Sequence, residues 1–152
     1  MKIAIGCDEA GFMLKEVIKK MLVDLGHNIE DYGCYDESPV SYPDIGYSVA
    51  SAVAEGLHER GILICGTGIG MSITANKVPG IRAAVCHDCY STVRSRCSND
   101  AQIMCIGAKV IGPALAKQLV EIWLENNFSG GKSTAKLKKI DTIESLYHGG
   151  KL

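Results

Sequence analysis

No charge of one sign prevails in this chain: 16 Lys and Arg stand against 17 Asp and Glu over 152 residues, leaving a formal −1. Bulk charge therefore gives no pull toward nucleic acid or an anionic membrane surface. Long apolar runs are missing as well. Gly, Lys, Glu or Asp interrupts every stretch short of the ~18 residues a membrane span needs. The opening Met1–Asp8 meets an acid before a signal-peptide core could form. These absences predict a cytoplasmic chain with neither membrane nor nucleic acid as partner. An even cysteine framework is missing too: seven cysteines, at 7, 34, 65, 86, 89, 97 and 105, leave one over, and several lie inside apolar runs. Reduced thiols that pack as small hydrophobes are expected. The single C-x-x-C, Cys86–Cys89, has no second cluster, which argues against zinc or a redox pair. Linkers and low-complexity tracts are also missing, so one domain is expected over 1–152. What remains is ordinary globular usage, 47% apolar and 22% charged, enough for a real core.

Two periods alternate along the chain. Lys2–Cys7 is a β-type run, followed by Phe12, Leu14, Val17, Ile18, Met21, Leu22 and Leu25 at helical spacing. Gly26 is placed to end that helix in a left-handed C′ conformation. Asn28–Tyr32 reads as a second strand and Gly33–Pro43 as a loop. Three more strands are expected at Gly61–Cys65, Ile81–Cys86 and Gln102–Ile106. Helices are expected around Ile45–Val53, Ile69–Lys77, Asp88–Cys97 and Leu115–Trp123, and over the tail Lys132–Tyr147. Five β runs separated by helices predict an α/β fold: a five-stranded parallel sheet covered on both faces, with a C-terminal helix.

In such a sheet, ligands bind beyond the carboxyl ends of the strands. Cys65-Gly66-Thr67-Gly68-Ile69-Gly70 closes an apolar strand and opens a helix there. Its glycines let backbone amides approach a ligand, and a helix start favours negative charge. The spacing is G-x-G-x-G, so it fits neither the dinucleotide pattern nor a Gly-Lys-Ser/Thr phosphate loop. A structural turn and a reactive Cys65, acting as base or nucleophile, both stay open on the residues alone. His27, His58 and His148 read as superficial, and His87 as a partly buried loop residue.

This loop, continued through Met71-Ser72 and Ala75-Asn76-Lys77-Val78-Pro79-Gly80-Ile81-Arg82-Ala83-Ala84, resembles the signature of the ribose-5-phosphate isomerase B family. That family includes the galactose-6-phosphate isomerase subunits. Ile3–Asp8, Tyr42-Pro43-Asp44 and Gly107–Gly112 extend the match over nearly the whole chain. The resemblance implies a three-layer α/β/α, Rossmann-like fold, homodimers or homotetramers with sites shared between chains, and no metal or cofactor. It also implies aldose–ketose isomerisation of sugar phosphates through an enediolate.

On the same resemblance, Cys65 matches the base, since Met71 stands where some relatives carry a glutamate. The amides of Gly66 to Gly70 match the oxyanion donors and Thr67 a polar partner. Asp8, Glu9, Tyr42, Gly66, Gly68, Gly70, Ser72 and Asn99 fall at substrate-binding positions. The phosphate-binding arginine pair is replaced by Lys132 and Lys136, which keep the charge but lose the bidentate fork. Two departures stand out. The Asp-His pair after the first strand is Asp8-Glu9, so Glu9 is expected to meet sugar hydroxyls or point away. The ring-opening histidine is Ser98, which does not titrate near neutrality; His87 is a candidate to replace it. These changes suggest open-chain tetrose 4-phosphates, which cannot close a five-membered ring, over ribose 5-phosphate. The alternative is a sugar-phosphate-binding subunit of a hetero-oligomeric isomerase.

Overall fold

A computed structural model of the chain describes residues 1–148. The strands are β1 (Lys2–Cys7), β2 (Asn28–Asp31), β3 (Arg60–Cys65), β4 (Ala83–Val85) and β5 (Ile103–Gly107). All pairs are parallel, in the order β2-β1-β3-β5-β4. The helices are α1 (Phe12–Asp24), α2 (Tyr42–Ala54), α3 (Ile69–Ala75), α4 (Cys89–Cys97), α5 (Pro113–Glu125) and α6 (Lys132–His148). Among the described residues no helix is long and apolar enough to cross a membrane.

Side-chain alternation along the strands builds two cores. Ile3, Ile5, Ile62, Ile64, Met104 and Ile106 face the apolar stripes of α1 and α5, with Leu14, Ile18, Leu119 and Trp123 buried against them. Ala4, Leu63, Cys65, Ile103 and Cys105 face Val49 and Val53 of α2 and Met71 of α3 on the other side. The three-layer sandwich expected from the strand–helix alternation is thus the observed one. Gly26, at φ 80°, ends α1 as predicted: its amide bonds Val23 O and that of His27 bonds Leu22 O, at 2.9 and 3.0 Å.

Three details differ from the periodicity. Pro43 is in the first turn of α2, where its missing N–H costs nothing, so the helix starts earlier than the apolar pattern shows. β4 is only three residues long. His58 is buried at 6% exposure, with Nε2 3.0 Å from the Tyr32 hydroxyl and 3.2 Å from Glu30, not superficial. The side chain of His148 lies outside the described residues.

The strand order places the site. β1 and β3 are neighbours, yet α1 leaves β1 toward one face and α3 leaves β3 toward the other. The two connections part at the carboxyl ends of β1 and β3, the switch point where an open parallel sheet leaves its ligand crevice. One wall rests on a buried charge. Lys15, on the inward face of α1 with 0% exposure, donates to both Asp31 oxygens at 2.8 Å and to Cys34 O at 2.6 Å. Lys19 reaches Asp31 at 2.7 Å. Burial alone would raise the Asp31 pKa; the two ammonium groups and the Gly33 amide outweigh it and hold the carboxyl below its ordinary range. Removing Asp31 leaves Lys15 with Glu16 at 3.3 Å as its remaining carboxylate. Asp31→Ala is therefore expected to cost about 3 kcal/mol, read as a lower urea midpoint at unchanged slope. A carboxyl with a lowered folded-state pKa stabilises the fold above ~pH 3.9 and loses that contribution as the pH falls through the lowered value. Acid unfolding curves of the wild type should carry this component and those of Asp31→Ala should lack it.

Candidate active site

Cys65 is the last residue of β3, and its register partner on β5 is Gly107. Beyond that pair the chains stay joined: Ala108 N donates to Cys65 O at 2.8 Å and Lys109 N to Gly66 O at 3.0 Å. A side chain at Gly107 would lie 2.7 Å from the Thr67 carbonyl carbon, so the loop rests directly on β5 backbone. Gly68 then turns the chain at φ 78°, a left-handed conformation in which a side chain would also press on Ile106 and Gly107 backbone at 3.1–3.2 Å. The turn points the Gly68 amide back at Cys65 Sγ, 3.0 Å away. Cys65 is buried at 5% exposure, while Thr67 and Ile69 on the same loop face solvent.

The amides expected to receive an oxyanion are therefore not equivalent. Gly68 N–H is engaged by the sulfur, and Ile69 N–H bonds Thr67 Oγ1 at 3.3 Å. The Tyr42 ring lies over Gly70, 2.7 Å from where a side chain there would begin. The Ser72 hydroxyl turns away toward β4 and donates to Ala83 O at 3.3 Å.

Asp8 and Glu9 follow β1 on the other side of the crevice. Asp8 N bonds Ile64 O at 3.1 Å, and Asp8 Oδ1 accepts the Gly11 amide at 3.0 Å. Burial raises the Asp8 pKa, with Glu9 adding to the rise and the Gly11 amide and Lys109 opposing it. Glu9 accepts the Val40 amide at 3.2 Å, which ties the long loop before α2 to the end of β1.

Two further residues lie at this edge: Lys109, to which the sequence motifs gave no role, and His87, considered there only as a replacement for the missing histidine. The Lys109 stem passes over Gly66, with Cδ 3.7 Å and Cε 3.9 Å from that residue's side-chain direction, bringing a cation to the loop. Its signal is its place directly after the fifth strand of an open parallel sheet. His87, after β4, accepts the Gly107 amide on Nε2 at 2.8 Å. Burial lowers its pKa, against a smaller opposing pull from Asp88.

The remaining predicted residues lie elsewhere. α4 runs from Asp88, past the end of β4, back across the sheet, so Ser98 and Asn99 come down before the start of β5. There Asn99 O accepts from Arg82 Nε at 3.0 Å, and the Ser98 hydroxyl is bonded by the Arg94 guanidinium. Ser129 joins this edge through Cys97 O at 2.7 Å, just before α6 begins with the exposed Lys132 and Lys136. Within one chain the structure thus gathers Cys65, Gly66, Thr67, Gly68, Gly70, Asp8, Glu9 and Tyr42 at one end of the sheet. Ser98, Asn99, Lys132 and Lys136 gather at the opposite end.

The Gly68 turn gives a direct check. Gly68→Ala must hold a side chain in the left-handed region and against β5, at a cost of roughly 1–2 kcal/mol. Chemical denaturation should show that loss, together with faster exchange of the Ile69 and Gly70 amides.

Known proteins resemble the chain over nearly its whole length. The ribose/galactose isomerase family model matches residues 3–140. The chain is 52% identical over 144 residues to a ribose-5-P isomerase B from Listeria innocua, covering 95% of this chain and 97% of that one. It is also 52% identical over 147 residues to a D-erythrulose-4-phosphate isomerase from Pectobacterium atrosepticum, covering 95% of each. The solved structure of Clostridium thermocellum ribose-5-phosphate isomerase B superposes with a TM-score of 0.95 at 48% identity, over 97% of this chain and 99% of that one. The β3 loop, the strand order that exposes it and the match across nearly the whole length lead to one statement: the chain belongs to the ribose/galactose isomerase family.

Proposed function

We propose that the protein is an aldose–ketose isomerase of sugar phosphates, with Cys65 as the base that moves a proton between C1 and C2. The observation that carries this reading is the Cys65 sulfur at the crevice end of β3, faced by the Gly68 amide, with the Lys109 cation above the same loop. A thiolate there takes the proton from one carbon and returns it to the next. The amides of Gly66, Thr67 and Gly70 receive the charge that develops on the neighbouring oxygen. Lys109 offers a point charge to the phosphate, and Asp8, Glu9 and Tyr42 close the crevice around the chain of hydroxyls.

The split of the predicted residues between the two ends of the sheet supports a site shared between copies of the chain. Ser98, Asn99, Lys132 and Lys136 of a second copy complete the crevice of the first. This makes the working unit a homodimer, or a pair of them, with each copy a single domain. Exposed Ile69 and Ile73 on the outer face of α3 give such a pairing an apolar surface beside the loop. The seven unpaired thiols suit a reducing, cytoplasmic setting.

Substrate choice turns on Ser98. The two relatives named above are equally identical to this chain, so identity does not separate a tetrose from a pentose phosphate. Ser98, engaged by Arg94, offers no group that titrates near neutrality to open a sugar ring. A tetrose 4-phosphate has no ring to open, because its C4 oxygen carries the phosphate. The reading is therefore of an enzyme that prefers erythrulose 4-phosphate and its aldose partner.

Cys65→Ala is expected to lose at least 10²–10⁴-fold in kcat with an unchanged circular dichroism spectrum; substantial turnover in that variant overturns the assignment. Among four-, five- and six-carbon ketose phosphates, erythrulose 4-phosphate should give the highest kcat/KM, and a large preference for ribulose 5-phosphate removes the open-chain argument. Mixing inactive Cys65→Ala with inactive Lys136→Ala should recover activity, because mixed dimers regain one intact site. No recovery after subunit exchange counts against sharing.

A further inference from the structure

We propose that His87 is a positioning residue for the Cys65–Gly70 loop, a role that rests on the isomerase reading of that loop. Its neutral imidazole replaces a backbone carbonyl that the sheet does not supply. β4 ends at Val85, in register with Cys105, and the last ladder bond between them is donated by Cys86 N to Cys105 O at 3.0 Å. The next bond of a parallel ladder would run from Gly107 N to the carbonyl of residue 86. That amide goes to His87 Nε2 instead, at 2.8 Å. A side chain thus continues the β4–β5 pairing one step beyond the end of β4.

The step it continues is the one under the active loop. On the opposite edge of β5, Ala108 and Lys109 hold Cys65 O and Gly66 O. Between the two edges, Gly107 lies against the Thr67 backbone with no space for a side chain. Without His87, the amide of the buried Gly107 would lack its partner on the β4 side. A loop displaced by about 1 Å is enough to lower a rate ~10²-fold when the base and the oxyanion donors are both built on it.

The contact also fixes the state of the ring. To accept an N–H, Nε2 must be unprotonated, so the neutral ring carries its proton on Nδ1. An imidazolium would set two N–H groups against each other. Nε2 is accordingly occupied and unavailable to exchange protons with a sugar. His87 does not replace the missing histidine through this atom.

The test compares wild type, His87→Gln and His87→Leu on the sugar phosphate that the wild type turns over fastest. The Gln side-chain oxygen can reach and accept the Gly107 amide; Leu cannot. His87→Leu should lower kcat about 10- to 100-fold with KM within roughly twofold, and His87→Gln should restore kcat to within about threefold of wild type. Equal kcat in wild type and His87→Leu, or a His87→Gln as impaired as His87→Leu, overturns the proposal. A loss that appears in KM alone does so too. Should His87→Leu fail to fold, ¹⁵N spectra of the wild type decide: Nδ1 protonated, Nε2 bare and coupled to the Gly107 N–H is expected, and a protonated Nε2 refutes it. Should the wild type turn over no sugar phosphate, the isomerase reading fails separately. His87 is then judged by hydrogen exchange of Gly107, slow in wild type and His87→Gln and fast in His87→Leu; equal rates in all three overturn the contact.

Discussion

A side chain on Gly107 would fall 2.7 Å from the backbone of Thr67. The distance says that the Cys65–Gly70 loop and the end of β5 touch main chain to main chain, with nothing interposed. Everything at this edge of the sheet inherits its position from that contact. Cys65 and Gly66 are tied to β5 by two amides, the Gly68 turn lies over Ile106 and Gly107, and the Gly68 N–H meets the sulfur only because the turn is so seated. Backbone contacts of this kind bring no rotamer freedom, which suits a site whose donors are amides rather than side chains. The loop is seated by main-chain contacts with β5, and α3 beyond it is only seven residues long.

The opposite wall of the crevice is held differently, by charge. Lys15 is enclosed within α1, β2 and the chain that follows, and three acceptors surround its ammonium. Such a group is stable only while its partners stay in place. The end of β1, which carries Asp8 and Glu9, is consequently fixed by a polar cluster, and Glu9 passes that constraint on to Val40. The two walls meet at the β1–β3 junction, where Asp8 N bonds Ile64 O.

The elements of the fold were legible in the residues, because apolar spacing in a doubly covered sheet is strong: β1, β3, β5, α1 and α5 all stand within a residue or two of their patterns. Strand order was not, since no local signal says that β5 inserts between β3 and β4. Whatever depends on that insertion was hidden with it. Lys109 is beside Gly66, and His87 beneath Gly107, only through the register of β5. Lys15 was hidden for another reason: a lysine at helical spacing reads as solvated, and its burial follows from a carboxylate 16 residues on. Glu9 was visible as a departure, but its partner Val40 sits in a loop without period. The Cys65 loop was legible as a glycine-rich turn after an apolar strand, and as a candidate site only through its resemblance to a family signature.

The thiols differ in reach. Cys89, in the first turn of α4, is exposed, whereas Cys7, Cys34, Cys65, Cys86 and Cys105 are buried. An alkylating probe applied to the native protein meets α4 first, so a count of fast-reacting sulfhydryls describes the far side of β4 rather than the sulfur at the end of β3. Labelling stoichiometry and loss of turnover are for this reason separate quantities in this molecule, and one cannot stand in for the other.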